Sequence, residues 1–189
     1  MVVDPQQFLV AHPACWISRR APEFPVHNVH ALDILAPPTR VFAALSNLGN
    51  LSPAWYWRAL YAIRGIAGKL FRWDPGLRWH GPEPLVPGNH YAFFLIEHVA
   101  APGSATNPTA EFPYELGVSV ENHLTLALMS YVVAPHGCGT RLYNATCALF
   151  KGRTGRAYWR VIRPFHDALI EDMLQNLRRR AERQGNSVL

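Results

Sequence analysis

The chain has 189 residues, 49% hydrophobic and 16% charged, a balance that excludes general disorder and suits one domain with a substantial core. Its formal net charge of +5 comes almost wholly from arginine, Lys69 and Lys151 being the only lysines. The basic residues are scattered, or gathered on the polar side of the last helix, with no nucleic-acid-binding module beside them, so no nucleic-acid partner is expected.

Cys15, Cys138 and Cys147 are odd in number and lack metal-ligand spacing, and they read as free thiols of a reducing compartment. Asp4 and the absence of a long apolar region argue against a signal peptide, and no run approaches the ~20 apolar residues of a membrane span. A cytoplasmic protein without integral membrane association is expected.

Met1 to Pro25 is a lead-in carrying Phe8, Leu9, Val10, Trp16 and Ile17, read as a strap of unassigned position. His27 to Leu35 alternates as a first strand, ended by Pro37-Pro38. Thr39 to Leu48 reads as a short helix with Val41, Phe42, Leu45 and Leu48 inward. Ser52 as N-cap and Pro53 at the first helical position open a second helix from Ala54 to about Ile66. Glycines and prolines then punctuate a loop bearing Phe71, Trp73, Leu77 and Trp79. Asn89 to His98 reads as one strand, Ala101 to Pro113 as a loop, and Tyr114 to Val120 as the next strand.

His123 to Val133 and Thr140 to Phe150 are two β-rich runs separated by Pro135 to Gly139, a turn signal that closes an antiparallel hairpin. For the first run the face Leu124, Leu126, Leu128 and Ser130 is expected to meet the final helix. For the second, Leu142, Asn144 and Thr146 are placed inward, because Arg141 on the other parity prefers water. The final helix runs from Thr154 to about Arg183. Its apolar stripe is Tyr158, Ile162, Phe165, Leu169, Met173 and Leu177 at steps of three and four, widened by Val161, Ala168, Ile170 and Leu174, and Pro164 lies inside it.

The expected class is α+β, a curved antiparallel sheet wrapped around a long C-terminal helix, with two short helices after the first strand. This order, with LAPPTRVFAAL (Leu35 to Leu45), resembles the helix-grip fold of the SRPBCC superfamily, which includes START lipid-transfer domains, pollen allergens and aromatic polyketide cyclases. Tyr114 to Met173 is similar to a bacterial branch of unknown function. The carrying residues are Glu115 to Val133, TRLYNATCALF, and GRAYWRVIRPFH, with Gly155 and Tyr158 opening the helix and Pro164, Phe165 and His166 within it. The resemblance covers roughly residues 27–180 and implies a single helix-grip domain (27–185) with a cavity between helix and sheet and no reaction attached, while the N-terminal extension (1–26) and the Ala101 to Pro113 loop depart from it.

No P-loop, dinucleotide fingerprint, HExxH or GxSxG sequence is present, and no cofactor is expected. The nine histidines are dispersed along the chain, and no metal site is assigned. His27 and His30, three apart on a strand, point to opposite faces. A small hydrophobic or amphipathic ligand, lipid or aromatic polyketide-like, is the expected partner, lined by Trp55, Tyr91, Phe93, Leu124, Leu126, Leu128, Leu142, Asn144, Thr146, Tyr158, Ile162, Phe165 and His166. Tyr131, Tyr143 and Trp159 are further wide-bodied wall residues. His166 and Glu97 are the candidates for proton transfer if the scaffold is a cyclase- or dehydratase-like enzyme. A protein-interaction module with a collapsed cavity is the third reading, and the oligomeric state is left open.

Overall fold

The computed structural model describes residues 1–46, 62, 65–66, 68–69, 72, 80, 83–103 and 112–183. In chain order the elements are β1 (Val2–Val3), α1 (Pro5–Ala11), α2 (Trp16–Arg20), β2 (Val26–Ile34), α3 (Pro38–Ser46), β3 (His90–Tyr91), β4 (Phe94–Ala100), β5 (Tyr114–Glu121), β6 (Thr125–His136), β7 (Gly139–Phe150) and α4 (Gly152–Arg183). All seven strands join one antiparallel sheet in the order β1-β2-β7-β6-β5-β4-β3. This is the expected α+β helix-grip architecture. The second short helix falls almost wholly outside the described residues.

The β6–β7 hairpin forms where the turn chemistry places it. His136 pairs with Gly139 and Gly137 takes a φ of 55°, a left-handed conformation that glycine adopts without steric cost. Asn89 to His98, by contrast, is not one strand. Ala92 sits at a φ of 58° and turns the chain, so that Tyr91 pairs with Phe94 and His90 with Leu95. A positive φ at alanine carries a steric penalty and leaves no sequence signal.

Two apolar layers flank the sheet. On one face α3 and α4 cover Ile34, Tyr91, Ile96, Leu116, Val118, Met129, Tyr131, Val133 and Leu142, with Ile170, Leu174, Leu177 and Ala181 supplied by α4. On the other face α1 and α2 bring Phe8, Cys15, Trp16 and Ile17 onto Val29, Leu128, Val132, Ala145 and Cys147. The N-terminal segment is thus a second layer of the fold, and β1 extends the sheet beside β2. Each fully buried Leu, Ile or Val in these layers contributes roughly 1.5–3 kcal/mol.

That second layer corrects the expected facing of β6. Leu126, Leu128, Ser130 and Val132 point toward the N-terminal segment, and Met129, Tyr131 and Val133 point toward α4. Both sides of β6 are apolar because both are covered, so alternation alone cannot choose between them.

α4 has 32 residues, about 48 Å at 1.5 Å per residue. Its buried residues are Gly155, Ile170, Leu174, Leu177 and Ala181. Trp159 stacks on Phe150 with ring centroids 4.7 Å apart. In the N-terminal half the sheet-facing side is therefore rotated from the expected stripe, with Gly155 and Trp159 on the sheet side while Phe165 remains 49% exposed. Gly155 accounts for the phase: a Cβ there would stand 2.5 Å from the Leu124 carbonyl oxygen. Only glycine lets the first turns of α4 approach the β6 entry so closely, and this fixes which side of the helix faces the sheet.

Candidate functional site

β2, β7 and β6 lay a polar row across the sheet face that meets α4. His30 stands opposite Asn144, Asn144 opposite Tyr131, and Tyr131 opposite Leu116. The neighbouring row runs Asn28, Thr146, Met129 and Val118. α4 closes over both rows: Asn28 Nδ2 donates to Asp167 Oδ1 at 2.8 Å, and the Tyr131 hydroxyl lies 3.5 Å from Met173 Sδ.

Asn144 is 0% exposed and His30 4%. His30 Nε2 and both Oδ1 and Nδ2 of Asn144 are buried without a hydrogen-bond partner among the described residues. Leaving such an atom unpaired costs about 1–3 kcal/mol, and folded proteins do so rarely. Three of them on adjacent strands, on the helix-facing side, form a concentration of unused hydrogen-bonding capacity inside the core.

Burial pushes the His30 ring below its ordinary pKa, against the pull of Asp167, with His166 and the chain amine adding to the lowering and Glu171 opposing it. Burial lowers His166 too, and the Asp167 carboxylate counters it through a contact of 3.4 Å from His166 Nδ1 to Oδ1. The folded state therefore holds both rings neutral where the unfolded chain binds protons. The resulting stability is fully present above the unfolded value of 6.5 and is lost as pH falls below it toward the folded pKa. Linkage limits the loss to about 1.4 kcal/mol per pH unit per ring. Thermal unfolding from about pH 7.5 down to 5 should show a shallower acid-side decline in His30→Gln than in the parent. Superimposable profiles would remove His30 from this account.

The expected lining residues divide among several places. Leu142, Asn144 and Thr146 face α4 as anticipated, and Tyr91 is buried in the same layer. The Tyr91 hydroxyl donates to the Leu45 carbonyl at 2.7 Å, and burial pushes its pKa up, so it serves as a wall with its polar end already bonded. Phe93 lies in the turn between β3 and β4, its ring 4.3 Å from that of Phe94. Tyr158 and Ile162 are half-buried on the flank of α4, beside the exposed Phe165. Trp55 lies outside the described residues. His166 is half-buried, with its ring edge-on to Trp159 at 5.3 Å.

Leu126 and Leu128 belong to the opposite layer, and Leu124 precedes β6 with its carbonyl accepting from Lys151 N–H at 2.8 Å. Tyr143 is also on that side, packed 5.1 Å from Phe8. Adjacent strand residues alternate, so Tyr143 and Asn144 cannot share a cavity. Glu97 is drawn to the N-terminal segment by Arg20, Nη1 to Oε2 being 3.3 Å, and is no partner for His166. His30 is the residue that sequence reasoning missed. Its alternation with Leu32 and Ile34 marks its face, but its meeting with Asn144 depends on the β2–β7 pairing.

An open cleft of about 300 Å³ between His12, Phe112, His136, Arg141 and Tyr143 lies on the N-terminal side of the sheet, away from the polar row. At the β3 edge, His80, Glu83 and His90 come together with ligand atoms within 4.8 Å of one another. Among the described residues no helix is long and apolar enough to cross a membrane.

Residues 20–173 match the family described as "Protein of unknown function (DUF2867)". No match was found among curated protein sequences. Among solved structures, a conserved protein from Geobacillus kaustophilus is similar at 14% identity over 82% of this chain and 95% of its own, with a TM-score of 0.44. The di-domain ARO/CYC StfQ from the steffimycin biosynthetic pathway is 16% identical over 92% of this chain and 56% of its own, with a TM-score of 0.44. A Thalictrum flavumn norcoclaurine synthase point mutant in complex with a transition-state analogue is 12% identical over 85% of this chain and 97% of its own, with a TM-score of 0.42.

Proposed function

Since the chain belongs to DUF2867, a family described only as proteins of unknown function, we propose its function from the geometry of the polar row. The protein binds a small amphipathic molecule between α4 and the sheet. The observation that carries this reading is the trio of buried, unpartnered atoms on His30 and Asn144, set beside a cluster of buried aliphatic and aromatic side chains.

An apolar body buried there gains ~25 cal/mol per Å² of surface removed from water. A polar end able both to accept from Asn144 Nδ2 and to donate to Oδ1, such as a hydroxyl, relieves the unpaired amide. Pockets of this composition, apolar with a few placed polar groups, are the usual form of small-molecule sites. Thr146, Tyr131 and the His166–Asp167 pair stand nearby to fix orientation. Three cysteines outside any disulfide, one of them exposed, support a reducing, cytoplasmic setting.

A cyclase- or dehydratase-like reaction in the same place is the second reading. It is favoured by one observation, the buried His30 Nε2 without a partner; burial pushes the ring's pKa down, toward the neutral form that accepts a proton.

Native mass spectrometry of the protein purified from its own source, followed by denaturation and extraction, tests the proposal. A stoichiometric small molecule, reduced in occupancy in Asn144→Leu, is the expected result. An empty protein that gains no thermal stability from a panel of lipids and aromatic polyketides would reject it.

A further inference from the structure

We propose that His80, Glu83 and His90 form a binding site for a divalent transition-metal ion at the β3 edge of the sheet. The site is separate from the polar row beneath α4 and rests on different residues.

Three features carry the assignment. The donor set is two imidazole nitrogens and one carboxylate, drawn from within eleven residues of chain and brought to one point with every ligand atom within 4.8 Å of the others. The backbone beneath them is anchored: His80 N–H donates to the Ala92 carbonyl at 2.9 Å, so it rides on the turn that follows His90. The carboxylate is also held. Glu83 Oε2 accepts the His90 N–H at 2.7 Å, which restrains the carboxylate beside the Nδ1 atoms of the two rings.

The side chains surround a common point more than they bond one another. His80 Nδ1 is 3.4 Å from Glu83 Oε1 and His90 Nδ1 is 4.0 Å from Oε2, the second beyond hydrogen-bond range. The two rings stack at 3.8 Å and 6°, which brings two nitrogen donors side by side. An ion bound at about 2.0–2.2 Å from each donor requires donors roughly 3.3–3.6 Å apart. The existing separations, none above 4.8 Å, lie within about 1.5 Å of this.

The chemistry selects the ion. Imidazole nitrogen with one carboxylate suits zinc, cobalt, nickel or ferrous iron over calcium or magnesium, which prefer all-oxygen shells. The side chains of His80, Glu83 and His90 are 33%, 33% and 38% exposed, so water reaches the ion. Three protein ligands leave a fourth position for it, as in open zinc sites.

The test uses the full-length protein stripped with chelator and titrated calorimetrically with Zn²⁺, alongside the visible spectrum with Co²⁺. The expected result is one ion per chain, a rise in Tm on binding, and affinity weakened by at least about tenfold in His80→Ala, His90→Ala and Glu83→Gln. His136→Ala, at an exposed histidine elsewhere, should bind as the parent does. Glu83→Gln keeps an oxygen to accept the His90 N–H, so it decides the matter should a histidine variant fail to fold. Substoichiometric binding, or triad variants that bind like the parent, would overturn the proposal.

Discussion

Asn144→Leu is expected to stabilise the ligand-free protein by about 1–3 kcal/mol while weakening ligand binding tenfold or more. The substitution removes two buried polar atoms that have no partner and replaces them with methyl groups facing an apolar layer. For a chain of this size the gain corresponds to a rise in Tm of roughly 2–4 °C per kcal/mol. The same change strips the site of an amide that both donates and accepts, leaving a ligand's polar end unpaired in the core. Stability and function should therefore move in opposite directions, the usual mark of a site held against its own folding interest. Differential scanning calorimetry with and without ligand reads both. A destabilised variant would mean that the amide is satisfied in the native protein, and a stabilised variant with unchanged binding would separate Asn144 from the ligand.

How far the site was legible in the sequence depends on which contacts are local. On β7 the inward face follows from one polar residue: Arg141 turns outward and grips Asp33 of β2 with two hydrogen bonds of 2.6 and 2.8 Å, which leaves Leu142, Asn144 and Thr146 inward. No such residue marks β6, where Leu126, Leu128, Met129 and Val133 make both faces apolar. Its facing is settled by the N-terminal segment, far away in the chain, arriving on one side. The α4 stripe shows the same limit. Periodicity gave the helix its length and its C-terminal core residues Ile170, Leu174 and Leu177, with Met173 partly buried beside them, but the close approach at Gly155 rotates the first half, carrying Phe165 outward and Trp159 inward. His30 and the His80–Glu83–His90 cluster were hidden because their partners are chosen by strand pairing and by the unsignalled turn at Ala92.

The packing of the N-terminal segment yields the second large expected effect, at Glu115. This side chain is 5% exposed and gathers several donors. The Trp16 N–H is 3.0 and 3.1 Å from its two oxygens, the Ser130 hydroxyl donates at 2.8 Å, and His98 Nε2 lies 3.6 Å away. Trp16 then lies flat over Gly117, where a Cβ would stand 2.6 Å from the ring, and stacks on His98 at 5.9 Å. One carboxylate thus ties the start of α2 to β4, β5 and β6. Glu115→Ala leaves the Trp16 N–H and the fully buried Ser130 hydroxyl without their acceptor and opens a void, so a loss of about 3–5 kcal/mol is expected. Glu115→Gln keeps one oxygen acceptor and should lose less. Because the broken contacts belong to the N-terminal layer, Glu115→Ala should expose α1 and α2 to protease at urea concentrations where the β6–β7 hairpin and α4 remain folded. A loss under about 1 kcal/mol, or proteolysis no earlier than global unfolding, would show that the apolar contacts of Phe8, Trp16 and Ile17 hold this layer without the carboxylate.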